Sequence, residues 1–247
     1  MKLNKEVSLL GQETLDEIIC WEELAWPNLA KIHLSQEEVH IWRISNESQS
    51  HLSTFFSFLS NDERLRADKY KFAADSSRFI RGRGLLRLLL NAYSGTNPAQ
   101  IVFRYGDYGK PYISLPNKDI KFSVSHSQEI TMYAFSELDE VGIDVEFRKN
   151  KVDWRAIGRY CFTAKEMQLL EKMTVEEAEE AFLASWTRME AIAKATGEGL
   201  SGLWRPSAYA LNGSEFRSVH FSVDSDYIAN LVFSITKSRA SFFEILM

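Results

Sequence analysis

Gly142-Ile143-Asp144-Val145-Glu146 and, further along, Trp186-Thr187-Arg188-Met189-Glu190-Ala191-Ile192-Ala193-Lys194 are the two stretches on which the reading of this chain turns. The first reads as a strand running from Val141 to Phe147. Asp144 and Glu146 leave one face of it, and Ile143 and Val145 leave the other. The second reads as a helix, in which Phe182, Trp186, Met189 and Ala193 form an apolar stripe. Glu190 and Lys194, four apart, share a neighbouring face. Three carboxylates on regular elements, with a lysine beside one of them, suit a hard divalent cation and a phosphate-bearing ligand. Mg²⁺ takes oxygen ligands, keeps several waters and is usually held by one or two carboxylates plus substrate phosphates. The same residues also satisfy a plainer reading, a solvated strand face and a weak surface ion pair.

The chain has 247 residues, enough for one large domain or two intimate ones. Its 45% hydrophobic and 26% charged residues are ordinary for a soluble globular protein. A formal charge of −5 gives no global attraction to nucleic acid or to an anionic membrane, so neither is expected as a partner and only a local basic patch would bind a polyanion. Cys20 and Cys161 are too few for a disulfide framework or a zinc site, which points to a reducing, cytoplasmic setting. No basic segment followed by an apolar run opens the sequence, so no signal peptide is expected. No apolar run approaches the roughly 20 residues of a membrane span.

Between Met1 and Leu34, Leu15, Ile18, Ile19 and Glu22 to Leu24 suggest an amphipathic helix broken at Pro27, read as a packed extension. Val39 to Ile44 alternates around Trp42 as a half-buried strand does. Ser60, Asn61 and Asp62 offer helix caps, and a charged helical stretch runs on to about Tyr93. Within it Phe79, Leu86, Leu90 and Tyr93 make an apolar stripe. Arg78 and Arg81, then Arg83 and Arg87, concentrate positive charge in an acidic protein. Gly82 and Gly84 cost about 1 kcal/mol each in a helix and so suggest close approach of another backbone or of a ligand.

Ile101 to Tyr105 reads as a short strand, followed by a sharp turn, Gly106-Asp107-Tyr108-Gly109-Lys110-Pro111, that displays Lys110. Ile120 to Ser125 alternates as a strand ending at His126, with Ile130 to Phe135 as its hairpin partner. Ser125 and His126 thus gather a hydroxyl and an imidazole at a strand end, where both are able to donate to phosphate oxygens. A faint repeat links the halves: Val39 to Ile44 plus the helical region from Ser60 matches, in order of elements, Val141 to Phe147 plus Thr163 to Ala195. The second half closes with Val219 to Val223 and Ile228 to Ile235 around the turn Asp224-Ser225-Asp226. The expected fold is α+β, a pseudo-twofold pair of similar halves, 1–140 and 141–247, with the site in the cleft between them.

Taken together, these stretches resemble the 4′-phosphopantetheinyl transferases of the surfactin-synthetase-activating type. The resemblance rests on Asp62-Glu63-Arg64 to Arg87, Tyr108-Gly109-Lys110-Pro111, Phe122-Ser123-Val124-Ser125-His126-Ser127, Gly142-Ile143-Asp144-Val145-Glu146 and Trp186 to Leu200, in the family's order. It implies transfer of the phosphopantetheine arm of coenzyme A to a serine of an apo acyl or peptidyl carrier protein, releasing adenosine 3′,5′-bisphosphate, by a monomer that uses Mg²⁺. By position, Asp144, Glu146 and Glu190 match the family's metal-site carboxylates. Lys194 matches its lysine near the coenzyme phosphates, while Lys110, Ser125 and His126 match coenzyme-binding positions. Arg66, Arg78 and Arg83 fall in its basic coenzyme-binding region, and Glu190 is the candidate base for the attacking serine, with Lys194 beside it. One residue departs from the pattern: the family commonly has lysine immediately before the glutamate, and this chain has Met189. A metal-dependent phosphodiesterase and a non-catalytic carrier-protein or coenzyme-binding homologue are the alternative readings.

Overall fold

In the computed structural model, which describes residues 13–14, 19–25, 29, 32–45, 50–114, 118–149, 152–199 and 216–246, two short strands come first, β1 (Glu13–Thr14) and β2 (Glu22–Ala25). Strand β3 (Glu38–Ser45) leads to helices α1 (Leu52–Phe58), α2 (Asn61–Asp68) and α3 (Ala73–Ser94). A small ribbon of β4 (Phe103–Tyr105) and β5 (Pro111–Ile113) precedes the hairpin β6 (Ile120–Ser127) and β7 (Ile130–Glu137). The second half starts at β8 (Val141–Phe147) and passes through α4 (Trp154–Cys161), α5 (Ala164–Leu170) and α6 (Val175–Thr196). It ends with the hairpin β9 (Phe216–Ser222) and β10 (Tyr227–Ser234), then β11 (Arg239–Leu246).

The faint repeat is a structural one. In the first half β7 pairs antiparallel with both β3 and β6, and in the second β10 pairs antiparallel with both β8 and β9. Both halves therefore fold as strand, three helices, hairpin, with the last strand of the hairpin inserted beside the first strand. The halves also exchange ends. Strand β11 returns to the first half and runs parallel to β3, with β2 parallel on its outer side, while β1 runs parallel to β9. The result is a five-stranded sheet, β2-β11-β3-β7-β6, and a four-stranded sheet, β1-β9-β10-β8.

Period-two alternation dictates how these sheets are filled. Val39, Ile41, Met132 and Ala134 face Ile143, Val145, Leu231 and Phe233 in a core shared by the two sheets. The alternate residues Trp42, Tyr133 and Phe135 point outward to meet Leu85, Leu86 and Leu89 of α3. On the opposite flank, Ile228 packs with Phe182, and Val232 with Ala191 and Ile192 of α6. Each half thus carries its long helix on the outer face of its sheet. Among the described residues no helix is long and apolar enough to cross a membrane.

The sequence reading needs correction at three places. Glu22 to Leu24, assigned above to a helix, forms β2, because pairing along β11 decides its state where a single apolar residue supplies no usable period. Leu15, Ile18 and Pro27 lie outside the described residues, whereas Ile19 is buried in the inter-sheet core. The helical stretch from Ser60 to Tyr93 is two helices. The capping box of Ser60 and Glu63 starts α2, which ends at Asp68, and α3 begins at Ala73. Of the two glycines noted in α3, Gly84 is the packing device, since a Cβ there would lie 2.5 Å from Phe55 Cβ of α1, whereas Gly82 has ordinary room.

Helix α6 crosses β8 at a point where no side chain fits. A Cβ on Gly142 would lie 1.9 Å from the Ala191 carbonyl oxygen and 2.7 Å from the Ala195 nitrogen, both backbone atoms. This contact sets how closely the helix carrying Glu190 and Lys194 lies over the strand carrying Asp144 and Glu146. Gly142→Ala is accordingly expected to destabilise the protein by about 3 kcal/mol, the upper range of overpacking costs, because backbone has to move. Urea unfolding measures it, and a variant as stable as the parent contradicts the close crossing.

Candidate active site

The two halves meet where the edge strand β6 of one sheet runs beside the edge strand β8 of the other. An edge strand presents backbone N–H groups with no ladder partner. Here the hydroxyls of alternate serines on β6 accept them: Ile143 N–H donates to Ser123 Oγ (3.1 Å), Val145 N–H to Ser125 Oγ (3.4 Å) and Phe147 N–H to Ser127 Oγ (3.1 Å). Two of these hydroxyls donate onward to the acidic side chains of β8. Ser125 Oγ donates to Asp144 Oδ1 (2.7 Å) and Ser127 Oγ to Glu146 Oε2 (3.0 Å).

Lys194, reaching across from α6, donates to Ser125 Oγ (2.9 Å) and pairs with Asp144 Oδ1 (2.6 Å). Ser125 therefore spends its one proton on Asp144 and accepts from Lys194 and Val145, which exhausts the capacity of a hydroxyl. Asp144 is buried, and its second oxygen, Oδ2, has no hydrogen-bond partner. Burial raises the pKa of Glu190, then Asp144 raises it further, with Glu146 adding to the push and Lys194 opposing it. Glu146 is likewise raised, first by burial and then by Asp144, against Ser127 and Lys194.

The local balance is three carboxylates against one lysine, with one buried carboxylate oxygen unpaired. That donor set, all hard oxygen, fits Mg²⁺. Among the described residues no group of three His, Cys, Asp or Glu side chains already stands at metal-holding spacing. Mg²⁺ does not demand one, since it keeps waters and takes ligands from substrate phosphates.

Beside this floor lies a cleft of about 330 Å³ between α3 and β6, lined by Arg66, Arg78, Phe79, Arg83 and His126 among others. It adjoins a second cavity of about 250 Å³, lined by Tyr108, Lys110, Glu190 and Lys194, and the two share Pro111 and Val124. The structure thus brings Arg66, Arg78 and Arg83 to one wall. Arg66 lies over the Phe79 ring at 4.9 Å, and Phe79, part of the apolar stripe of α3, lies at the cleft edge and is only half-buried. Arg83 stacks on Phe103 and pairs with Glu63 (3.4 Å), leaving Nη1 buried without a partner. Arg78 pairs with Asp75 (3.2 Å). Arg87 is different in kind: fully buried, it donates to Glu63 and to the carbonyls of Pro98 and Ile101, which ties α3 to α2 and to the following loop.

His126 lies on the cleft side of β6, and its pKa is lowered from 6.5, first by desolvation and then by the charges of Lys194 and Arg78, against Asp144. Lys110 is not a solvated loop lysine. It pairs with Glu140 and donates to the Ala195 carbonyl (2.8 Å) at the C-terminal end of α6, so it clasps the turn to the second half. The serine ladder itself could not be read from sequence, where the alternating hydroxyls signalled a strand without showing which edge they would meet.

Met189 is buried, in keeping with its place in the apolar stripe of α6. Met189→Lys is expected to lower stability by roughly 2 kcal/mol, the cost of a charge that must be buried or snorkel out, without improving activity. Thermal melting with steady-state kinetics checks this, and a faster enzyme with unchanged melting temperature contradicts it. The carboxylates give a pH signature of their own. Because Glu190 and Glu146 are raised above their ordinary value of 4.5, the stability they contribute is full below that value and is lost as pH rises through the raised values. Without divalent metal the protein should therefore be more stable on the acidic side of neutrality, so far as these two groups decide it. Glu190→Gln should flatten that slope in urea unfolding, and an unaltered slope counts against the coupling.

Two family models match the chain in succession. One, described as 4′-phosphopantetheinyl transferase, N-terminal, covers residues 42–138, and the other, the 4′-phosphopantetheinyl transferase superfamily, covers 140–242. The chain is 35% identical over 180 residues to the 4′-phosphopantetheinyl transferase HetI of Nostoc sp., an alignment covering 72% of this chain and 75% of HetI. It is 30% identical over 155 residues to the 4′-phosphopantetheinyl transferase Sfp of Bacillus subtilis, covering 62% of this chain and 67% of Sfp. With AcpT of Escherichia coli, another 4′-phosphopantetheinyl transferase, it shares 30% identity over 154 residues, 62% of this chain and 66% of AcpT. The repeated halves, the carboxylate floor with its lysine and these matches together make the chain a member of the 4′-phosphopantetheinyl transferase family, of the surfactin-synthetase-activating type.

Proposed function

We propose that this chain transfers the 4′-phosphopantetheine arm of coenzyme A to a serine hydroxyl of an apo acyl or peptidyl carrier protein and releases adenosine 3′,5′-bisphosphate. The observation that carries the reading is the meeting of Asp144, Lys194 and Ser125 at the seam between the halves, beside a cleft walled by three arginines. The serine oxygen attacks the phosphorus that bears the pantetheine arm. The bond from that phosphorus to the bridging oxygen breaks, the electron pair leaves with adenosine 3′,5′-bisphosphate, and the hydroxyl proton goes to a base.

Glu190 is the base, because burial and neighbouring carboxylates raise its affinity for a proton. Arg66 of α2 with Arg78 and Arg83 of α3 hold the coenzyme phosphates from the helical wall, and His126 donates from the β6 side. Ser125 acts by orienting Asp144 and Lys194. Lys110 gives one N–H to Glu140 and one to the Ala195 carbonyl, which leaves its third for a coenzyme phosphate. Asp144, through Oδ2, together with Glu146 and Glu190, would hold Mg²⁺. When bound, the ion supplies positive charge to the pyrophosphate oxygens as they become more negative. On this reading the halves 1–140 and 141–247 divide the task between coenzyme binding and metal binding, in a cytoplasmic monomer, consistent with the free cysteines Cys20 and Cys161.

The test is incubation with coenzyme A, Mg²⁺ and a panel of apo carrier proteins, read by intact mass of the carrier. A mass gain of one phosphopantetheine, lost in chelator and lost in Asp144→Ala with the fold retained by circular dichroism, is the expected result. Cleavage of coenzyme A that needs no carrier would make the protein a phosphodiesterase. Coenzyme binding without either reaction would make it a non-catalytic homologue.

A further inference from the structure

Asn230 lies in the middle of β10, fully buried, and the reaction described above makes no use of it. Strand β10 lies between β9 and β8, and Asn230 stands directly opposite Asp144 in the register with β8. Residues opposite each other in an antiparallel pair send their side chains to the same face, with Cβ atoms about 5 Å apart. One end of the Asn230 amide is fixed, because Ser218 Oγ on β9 donates to Oδ1 at 2.6 Å. With the oxygen committed to Ser218, only Nδ2 is left to serve the β8 side, where Asp144 is the opposed residue. That nitrogen is buried without a hydrogen-bond partner, and so is Asp144 Oδ2 across the ladder. A buried donor lacking an acceptor and a buried acceptor lacking a donor, each costly when left alone, thus occupy neighbouring positions on one sheet face.

We propose that Asn230 is a positioning residue for Asp144: its amide, anchored by Ser218, steadies the carboxylate so that Oδ1 stays on Ser125 and Lys194 while Oδ2 is kept for a divalent cation. A carboxylate oxygen has two lone-pair directions, so Oδ2 is able to receive the amide proton and still coordinate a metal. Such outer partners orient metal-binding carboxylates and commonly change metal affinity by at least tenfold when removed. Asp144 is hydrogen-bonded through Oδ1 alone, so an amide proton delivered to Oδ2 as the site takes up the ion is what would keep the carboxylate from swinging about that oxygen. The inference rests on the reading of this site as a Mg²⁺ site.

The test measures Mg²⁺ binding to the protein alone by isothermal titration calorimetry, together with the Mg²⁺ concentration that half-saturates transfer, for the parent, Asn230→Ala and Ser218→Ala. Asn230→Ala should weaken Mg²⁺ binding and raise the half-saturating concentration about tenfold, with the rate recovered at high Mg²⁺ and KM for coenzyme A unchanged. Ser218→Ala, which keeps the amide but frees it to turn, should move both quantities the same way by less. A packing defect lowers the melting temperature without moving the Mg²⁺ requirement. Equal Mg²⁺ affinity in parent and Asn230→Ala overturns the proposal, and should that variant not fold, equal affinity in Ser218→Ala does so. A parent protein that takes up no Mg²⁺ in the titration overturns the metal reading itself and this inference with it.

Discussion

Three serine hydroxyls on β6 occupy, beside β8, the place that backbone carbonyls hold inside a sheet. Two sheets that must turn to enclose a common apolar core are unable to continue one flat backbone ladder, yet an open edge at their junction would leave the N–H groups of Ile143, Val145 and Phe147 unsatisfied. A serine side chain spans the wider gap and still supplies an acceptor. Because each hydroxyl also has a proton to give, the seam passes its hydrogen bonds on to Asp144 and Glu146. The join between the halves and the orientation of the carboxylates are therefore one network, and Ser125 belongs to both.

This dual use explains which parts of the molecule were legible beforehand. Val141 to Phe147 and the stripe of α6 were readable as elements from their periodicity, though β8 is buried on both faces, Asp144 included, because α6 covers the face that carries the carboxylates. Helix geometry put Glu190 and Lys194 on neighbouring positions of one helix, but that Lys194 reaches Asp144 depends on how α6 crosses β8, which periodicity does not report. The edge relation of β6 to β8 depends on tertiary arrangement, so Ser125 was seen as a phosphate donor while its structural bonds were invisible. Asn230 had no local signal at all, being one polar residue in an apolar strand, and only the register against β8 gives it meaning. Gly142 was quoted as part of a motif, but its need for a bare backbone follows from where α6 crosses.

The arginines of α3 show how one sequence feature divides into two physical classes. Residues 78, 79, 82, 83 and 86 lie on one side of a helix, and all of them line the cleft. Arg87, a turn beyond Arg83, is turned inward, and its charge is matched by the equally buried Glu63 and by two backbone carbonyls. Such a pair is weak evidence of net stabilisation, but removing either partner leaves an uncompensated buried charge. Glu63 links the classes, since it also pairs with Arg83 and so fixes one cleft arginine from behind. A count of basic residues along the sequence cannot separate a structural cation from one available to a ligand.

The exchange of end strands bears on how the chain reaches this state. Strand β3 has β11 as a neighbour, and the pair is closed by an ion bridge between Arg43 and Glu244, 201 residues apart. During synthesis the first half emerges with the β3 edge bare, a template for unwanted pairing until β11 leaves the ribosome. Contacts so distant in the chain carry a loop-closure cost before they return any stabilisation, and they slow folding. Until β11 joins it the first half carries one unpaired strand edge, and the seam that orients the carboxylates forms only once β8 has joined β6.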